Sequence, residues 1–172
     1  MSADTTPDTT TDQGWGTGTV AQRLGELGIE RPAVAAALGS YLPAVQDGDH
    51  VLTSGQLPLA KGALLATGKV GAEVTPDDAA DLARRCAINA VAAIHEVVGD
   101  LDHVERVVKV VGFVASDPAF TGQPGVVNGA SDVLAAIFGE AGRHARSAVG
   151  VAVLPLDAPV EVEVTVRVRQ AT

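Results

Sequence analysis

The segment Arg143–Val168, RHARSAVGVAVLPLDAPVEVEVTVRV, sets an arginine at the mouth of one apolar run, breaks at Leu154-Pro155, and sets a glutamate just inside a second run. Both runs are rich in Val and separated by Pro and Asp, so they predict two closing strands of a buried sheet. Val160 to Val168 alternates apolar and polar residues, the period of a strand with one face covered. Val151, Val153, Val160, Val162, Val164 and Val166 supply more apolar surface than one helix layer is expected to cover. That excess predicts association of copies through the sheet.

The two charges in this apolar setting are the candidate chemistry. No charged residue lies between Ser147 and Val153, and a guanidinium there needs a carboxylate or phosphate to match its fork of donors. A structural salt bridge or a solvated strand end would also accommodate Arg146. Glu161 either faces water on an alternating strand or contributes to a site. If the two strands form a hairpin centred near Leu156 and Asp157, Glu161 opposes Ala152, roughly 20 Å from Arg146 along the strand. The two are then not direct partners, but can be two ends of one small-ligand site, completed by a neighbouring subunit.

Working outward, the chain has 172 residues, 47% of them hydrophobic but only 3% aromatic, with a mean hydropathy of +0.24. One domain with a core of Ala on helices and Val on strands is the expectation, in an α/β or α+β class. Twelve Lys and Arg against 21 Asp and Glu give a net charge of −9 without a basic cluster, which argues against a nucleic-acid partner. No run reaches the apolar length of a membrane span, and no basic flank with an apolar core opens the chain, so a cytoplasmic protein is expected. Cys86, the single cysteine, has no partner for an internal disulfide and reads as a small core residue.

Residues 1–18 are mostly Thr, Asp and Gly and are expected to form a disordered tail, with Trp15 pinning the start of a single domain over residues 19–172. Thr19–Leu27 reads as a short leading helix ended by Gly28. Asp47-Gly48-Asp49 predicts a hairpin between Tyr41–Val45 and His50–Leu57. Thr75-Pro76-Asp77-Asp78 is a helix start, with a Thr cap, Pro in the first turn and acids beside the positive end of the dipole, and the helix runs to about Val98. Val104–Ser116 reads as a central strand and Val126–Gly142 as a second long helix. The order βββαβαββ, about six strands with two helices on one face, is a two-layer sandwich.

Phosphate-cradling glycine loops, HExxH, CxxC and GxSxG are absent from the sequence, and His50, His95, His103 and His144 lack ligand spacing, so neither metal nor cofactor is called for. GSYLPAVQDGDHVLTSGQLPL, VERVVKVVGFVAS, a helix containing Asn128 and ARSAVGVAVLPLDAPVEVEV together resemble the YjgF/RidA family of reactive-intermediate imine deaminases, over about Leu38 to Val168. The resemblance implies a chorismate-mutase-like fold and homotrimers with sites between subunits. It also implies hydrolysis of enamine or imine intermediates such as 2-aminoacrylate to 2-oxo acids and ammonia. By the same resemblance Arg146 corresponds to the arginine that binds the substrate carboxylate and Glu161 to the glutamate that positions or activates water. Tyr41, Ser54, Gly55 and Asn128 correspond to residues of the cleft.

Three departures mark a divergent branch: Ala148 where many members carry cysteine, His144 where proline is usual, and Gly150 where a polar or acidic residue is common. The alternative function is a non-catalytic binder of a carboxylate metabolite in the same cleft. The endoribonuclease activity ascribed to parts of the family conflicts with the acidic charge.

Overall fold

Helix starts and a tight hairpin are where local chemistry dictates the fold, and both appear in the computed structural model, which describes residues 14–35 and 39–169. Thr75 caps helix α2 (Pro76–Val98), its hydroxyl accepting from the Asp78 amide at 3.1 Å, with Asp77 and Asp78 in the first turn. Gly99, at φ 71°, ends that helix in a backbone conformation that L side chains seldom adopt. Strands β1 (Ala44–Asp47) and β2 (His50–Thr53) pair antiparallel around Gly48 and Asp49.

Around these lie helix α1 (Thr19–Glu26), a ribbon of two-residue strands β3 (Leu59–Ala60) and β4 (Ala63–Leu64), strand β5 (Val104–Ala115), helix α3 (Gln123–Phe138), strand β6 (Ala145–Val151) and strand β7 (Val160–Val168). The fold is a mixed α+β sandwich whose main sheet has five strands in the order β1-β2-β7-β5-β6, all antiparallel except the β5–β6 pair. The expected six-stranded sheet divides into this sheet and the separate β3–β4 ribbon.

The closing strands do not form the conjectured hairpin. β6 follows β5 through α3 and pairs parallel to it, while β7 pairs antiparallel on the other side, so β5 lies between them. Parallel pairing needs a long crossover, which α3 provides.

The valines of β7 also correct an expectation. Val160, Val162, Val164 and Val166 are all at most 1% exposed within a single copy, packed on the helix side with Cys86, Ile94 and Leu134. A second subunit is not required to cover them. The opposite face, read across the register, carries Glu161, Glu163 and Thr165 on β7 with Val45, Leu52 and Val149 on neighbouring strands, the last three 40–45% exposed. Cys86 is fully buried with its sulfur 3.7 Å from the Val160 carbonyl, and burial pushes its thiol pKa up.

Residues 1–13 of the expected tail lie outside the described residues, and within Gly14–Gly18 it is Trp15 that is buried against the domain. Trp15 is 7% exposed, donates to the Ile29 carbonyl at 2.7 Å and meets the His95 ring edge-on at 5.8 Å. The α1 amides of Thr19 and Val20 donate to the Asp102 carboxylate, which lowers its pKa. Gly129 sets how closely the two long helices approach, since a Cβ there would lie 1.9 Å from the Ala80 carbonyl oxygen. Gly129→Ala is therefore expected to lower unfolding free energy by about 1–3 kcal/mol in urea titrations, despite the better helix propensity of Ala.

Candidate functional site

Two clusters hold most of the residues singled out from the sequence. Gly55 and Glu161 line the first, a cavity of about 350 Å³ at the end of the sheet where β7 begins, together with Tyr41, Pro43, Gln56, Leu57, Leu59, Pro155 and Leu156. The second lies where β6 passes under α3 and holds Arg146 and Asn128.

The cavity wall is fixed from behind by α2. Asn89 donates to the carbonyls of Leu57 and Leu59 at 2.9 and 3.2 Å, and Arg85 Nε donates to Leu59 O at 2.8 Å. Gln56 exchanges both backbone hydrogen bonds with Val162, which ties the 54–56 segment to β7. At the rim Leu156 and Asp157 take consecutive left-handed conformations (φ 59° and 58°), rare for non-glycine residues, and Leu156 is 61% exposed over the cavity.

Glu161 sits between two buried valines and projects from the face opposite the helices. Its Oε1 lies where a Cβ on residue 55 would be, 1.6 Å away, so Gly55 is the residue that leaves room for this carboxylate. Half-burial, and secondarily the charge of Glu163, raise the Glu161 pKa above the ordinary glutamate range. Tyr41 is 52% exposed at the cavity mouth. Ser54 does not line the cavity: its hydroxyl donates to the Leu42 carbonyl at 2.6 Å and its amide to Pro43 O at 2.9 Å, so it shapes the turn that presents Tyr41.

In the second cluster the Arg146 guanidinium is held by α3 on three sides. Nη1 donates to Asn128 Oδ1 at 2.8 Å and to Ser131 Oγ at 3.1 Å, and Nη2 donates to the Pro124 carbonyl at 3.2 Å. Three of five donors are thereby used. The Nε–H and one Nη2–H are left without a partner among the described residues, and these two nitrogens form one edge of the fork, the edge that takes a carboxylate bidentately. Ala148, two residues on, faces the same side and packs partly buried against the core.

Register places the clusters apart within one copy. Arg146 pairs with Val110 and Glu161 with Phe113, on opposite sides of β5. That is about 10 Å along the strands and about 10 Å across them. Arg146 points toward the helices and Glu161 away from them. Sequence reasoning missed Ser131 in the arginine cluster, although its place three residues after Asn128 puts both on one helix face. It also missed the apolar cavity wall of Leu57, Leu59 and Leu156, to which no motif draws attention.

Residues 21–166 match the model of the family described as "YjgF/chorismate_mutase-like, putative endoribonuclease". The chain belongs to the YjgF family. Protein TCP17 of Trypanosoma cruzi is 47% identical over 150 residues, covering 87% of this chain and 94% of that protein. The crystal structure of Atu1372, a protein of unknown function from Agrobacterium tumefaciens, superposes with a TM-score of 0.81 at 42% identity, covering 88% and 94% of the two chains. TdcF of E. coli with bound serine gives a TM-score of 0.57 at 27% identity, over 81% and 94%.

The raised Glu161 pKa in this YjgF-family chain has a consequence for stability. The folded state holds that proton more tightly than the unfolded state, so the stability it adds is present below the ordinary glutamate range and lost as pH rises through the raised value. Glu161→Gln has no charge to desolvate. It is expected to melt at a higher temperature than the native chain at about pH 8 and at the same temperature at about pH 3.5, by calorimetry at both values. A lower melting temperature for the variant at the higher pH would contradict the assigned cost of burial.

Proposed function

We propose that this chain hydrolyses enamine and imine intermediates of the 2-aminoacrylate type to 2-oxo acids and ammonia, at sites assembled between copies in a homotrimer. The observation that carries the reading is the pre-held guanidinium of Arg146, with one edge of its fork still open and no carboxylate on it. A 2-imino acid presents the two oxygens that edge fits. TdcF, a relative that carries bound serine, supports an amino-acid-like carboxylate as the ligand class.

Arg146 and Glu161 face opposite sides of one sheet, so they meet a single ligand only if Arg146 of one subunit approaches the Glu161 cavity of its neighbour. The exposed Val45, Leu52 and Val149 offer the sheet face for that assembly. In the composite site Arg146 fixes the carboxylate and thereby the reacting carbon, and the cavity wall takes the substrate's side chain. The enamine tautomerises to the imine by gaining a proton at carbon and losing one from nitrogen, so the C=C bond gives way to C=N. Water held by Glu161 then adds its oxygen to the imine carbon, passing one proton to the carboxylate and on to nitrogen. In the collapse of the resulting carbinolamine the hydroxyl proton passes to nitrogen, the C=O bond forms, the C–N bond breaks and ammonia leaves. A carboxylate whose proton affinity is raised by burial is the stronger base for that transfer.

Ala148 and Gly150 favour a second reading, in which the cleft binds a carboxylate metabolite without turning it over. The endoribonuclease description attached to the family is not carried over, because a net charge of −9 opposes a polyanion.

With 2-aminoacrylate generated in situ, Glu161→Gln is expected to slow keto-acid release by about 10²- to 10⁴-fold, the usual worth of a positioned base. Arg146→Ala is expected to raise KM, since it removes binding made equally in ground and transition states. Unchanged release in Arg146→Ala overturns the clamp. Pyruvate binding without any turnover by the native chain selects the binder. Light scattering should give the mass of a trimer, and full activity in a monomer would exclude the composite site.

A further inference from the structure

We propose that Ser131 and His144 are positioning residues for Arg146, forming a relay that holds the guanidinium with its free edge outward. The proposal rests on reading Arg146 as the carboxylate clamp.

With the His144 ring neutral, the chemistry of the four groups sets the direction of every hydrogen bond. His144 Nδ1 lies 2.6 Å from the Gly142 carbonyl oxygen, which can only accept, so Nδ1 carries the proton. In the neutral ring Nε2 is then an acceptor, and it lies 3.0 Å from Ser131 Oγ. The single hydroxyl proton of Ser131 therefore goes to His144, and the lone pairs of Oγ receive Arg146 Nη1 at 3.1 Å. Arg146, Ser131, His144 and the Gly142 carbonyl form one chain of bonds running a single way. Bonds in such a chain polarise one another.

The relay answers a problem specific to a serine in the middle of α3 (Gln123–Phe138). A mid-helix hydroxyl ordinarily turns to the carbonyl four residues back, here that of Val127, which would redirect its lone pairs. His144 supplies a competing acceptor from outside the helix and keeps Oγ aimed at the arginine. His144 is also where the family resemblance expects proline, which has no side-chain acceptor and could not make this contact.

Three single variants of the full chain test the relay, with KM and kcat for imine hydrolysis and the dissociation constant of pyruvate as readouts. Ser131→Val and Ser131→Thr have nearly the same shape, and only Thr keeps the hydroxyl. Ser131→Val and His144→Phe are expected to weaken pyruvate binding and raise KM about tenfold, the worth of one hydrogen bond to a charged group, with kcat near that of the native chain. Ser131→Thr is expected to restore both within about twofold. Equal values for Thr and Val at position 131, or native KM and pyruvate affinity in His144→Phe, would overturn the relay. Failure of the clamp reading is recognised separately: Arg146→Ala would then leave KM and pyruvate affinity at native values. Thermal melting of each variant distinguishes loss of fold from loss of orientation, and two positions keep the test open if one variant does not fold.

Discussion

The period-two pattern of β7 governs where everything else lies. β7 is the middle strand of five, and its four inward valines at positions 160 to 166 are at most 1% exposed beneath the helices. A slip of one residue would turn those valines into water and bury Glu161, Glu163 and Thr165 instead, so the register has one stable solution. With β7 fixed, pairing to β5 fixes that strand, and β5 in turn fixes β6. The positions of Glu161 and Arg146 are thus consequences of core packing two strands apart.

What the sequence reveals and what it hides follow from the range of the interactions. Thr75 as cap, the Asp47–His50 turn and Gly99 as helix end are settled by neighbours within four residues, and each was legible. The partner of β6 was not, because two strands joined by a short connection look alike whether they pair with each other or lie either side of a third. Choosing between them needs the α3 crossover, whose contribution is non-local. The valines of β7 were read as an excess because counting apolar residues does not say which face they share. The open face is instead a mixture of charges and half-exposed aliphatics. Trp15 was legible as a pin, and its indole, buried at the Ile29 carbonyl, offsets the entropy of ordering the residues beside it.

The candidate site divides along the same line. Arg146, Glu161 and Gly55 could be named because the family resemblance carries them, and the structure gives two of them a physical reason. Gly55 is glycine because the Glu161 carboxylate occupies its missing side chain. Arg146 stands at the end of an uncharged run because its partners come from α3. Ser131 was hidden as one more polar residue on a helix, although its spacing from Asn128 was available. Ser54 has the opposite history, named as a cleft residue yet committed through its hydroxyl to the backbone of Leu42.

Each half of the site is electrostatically unfinished within one copy. Arg146 is oriented by three neutral acceptors, which satisfy hydrogen bonds without neutralising its charge. Glu161 is half-buried with another carboxylate as its charged neighbour, and burial, then the charge of Glu163, raises its pKa. Ionised Glu161 carries a cost in stability, as its raised pKa records. Separation of the two charges onto opposite faces leaves the open edge of Arg146 unoccupied by Glu161, and on the proposed reading another copy and a ligand bring the two to bear on the same molecule. On that reading, holding the arginine in advance also lowers the ordering cost of binding a carboxylate. On the same reading, neutral acceptors on α3 suit this position better than a carboxylate would, because a fixed carboxylate would occupy the edge proposed for the substrate.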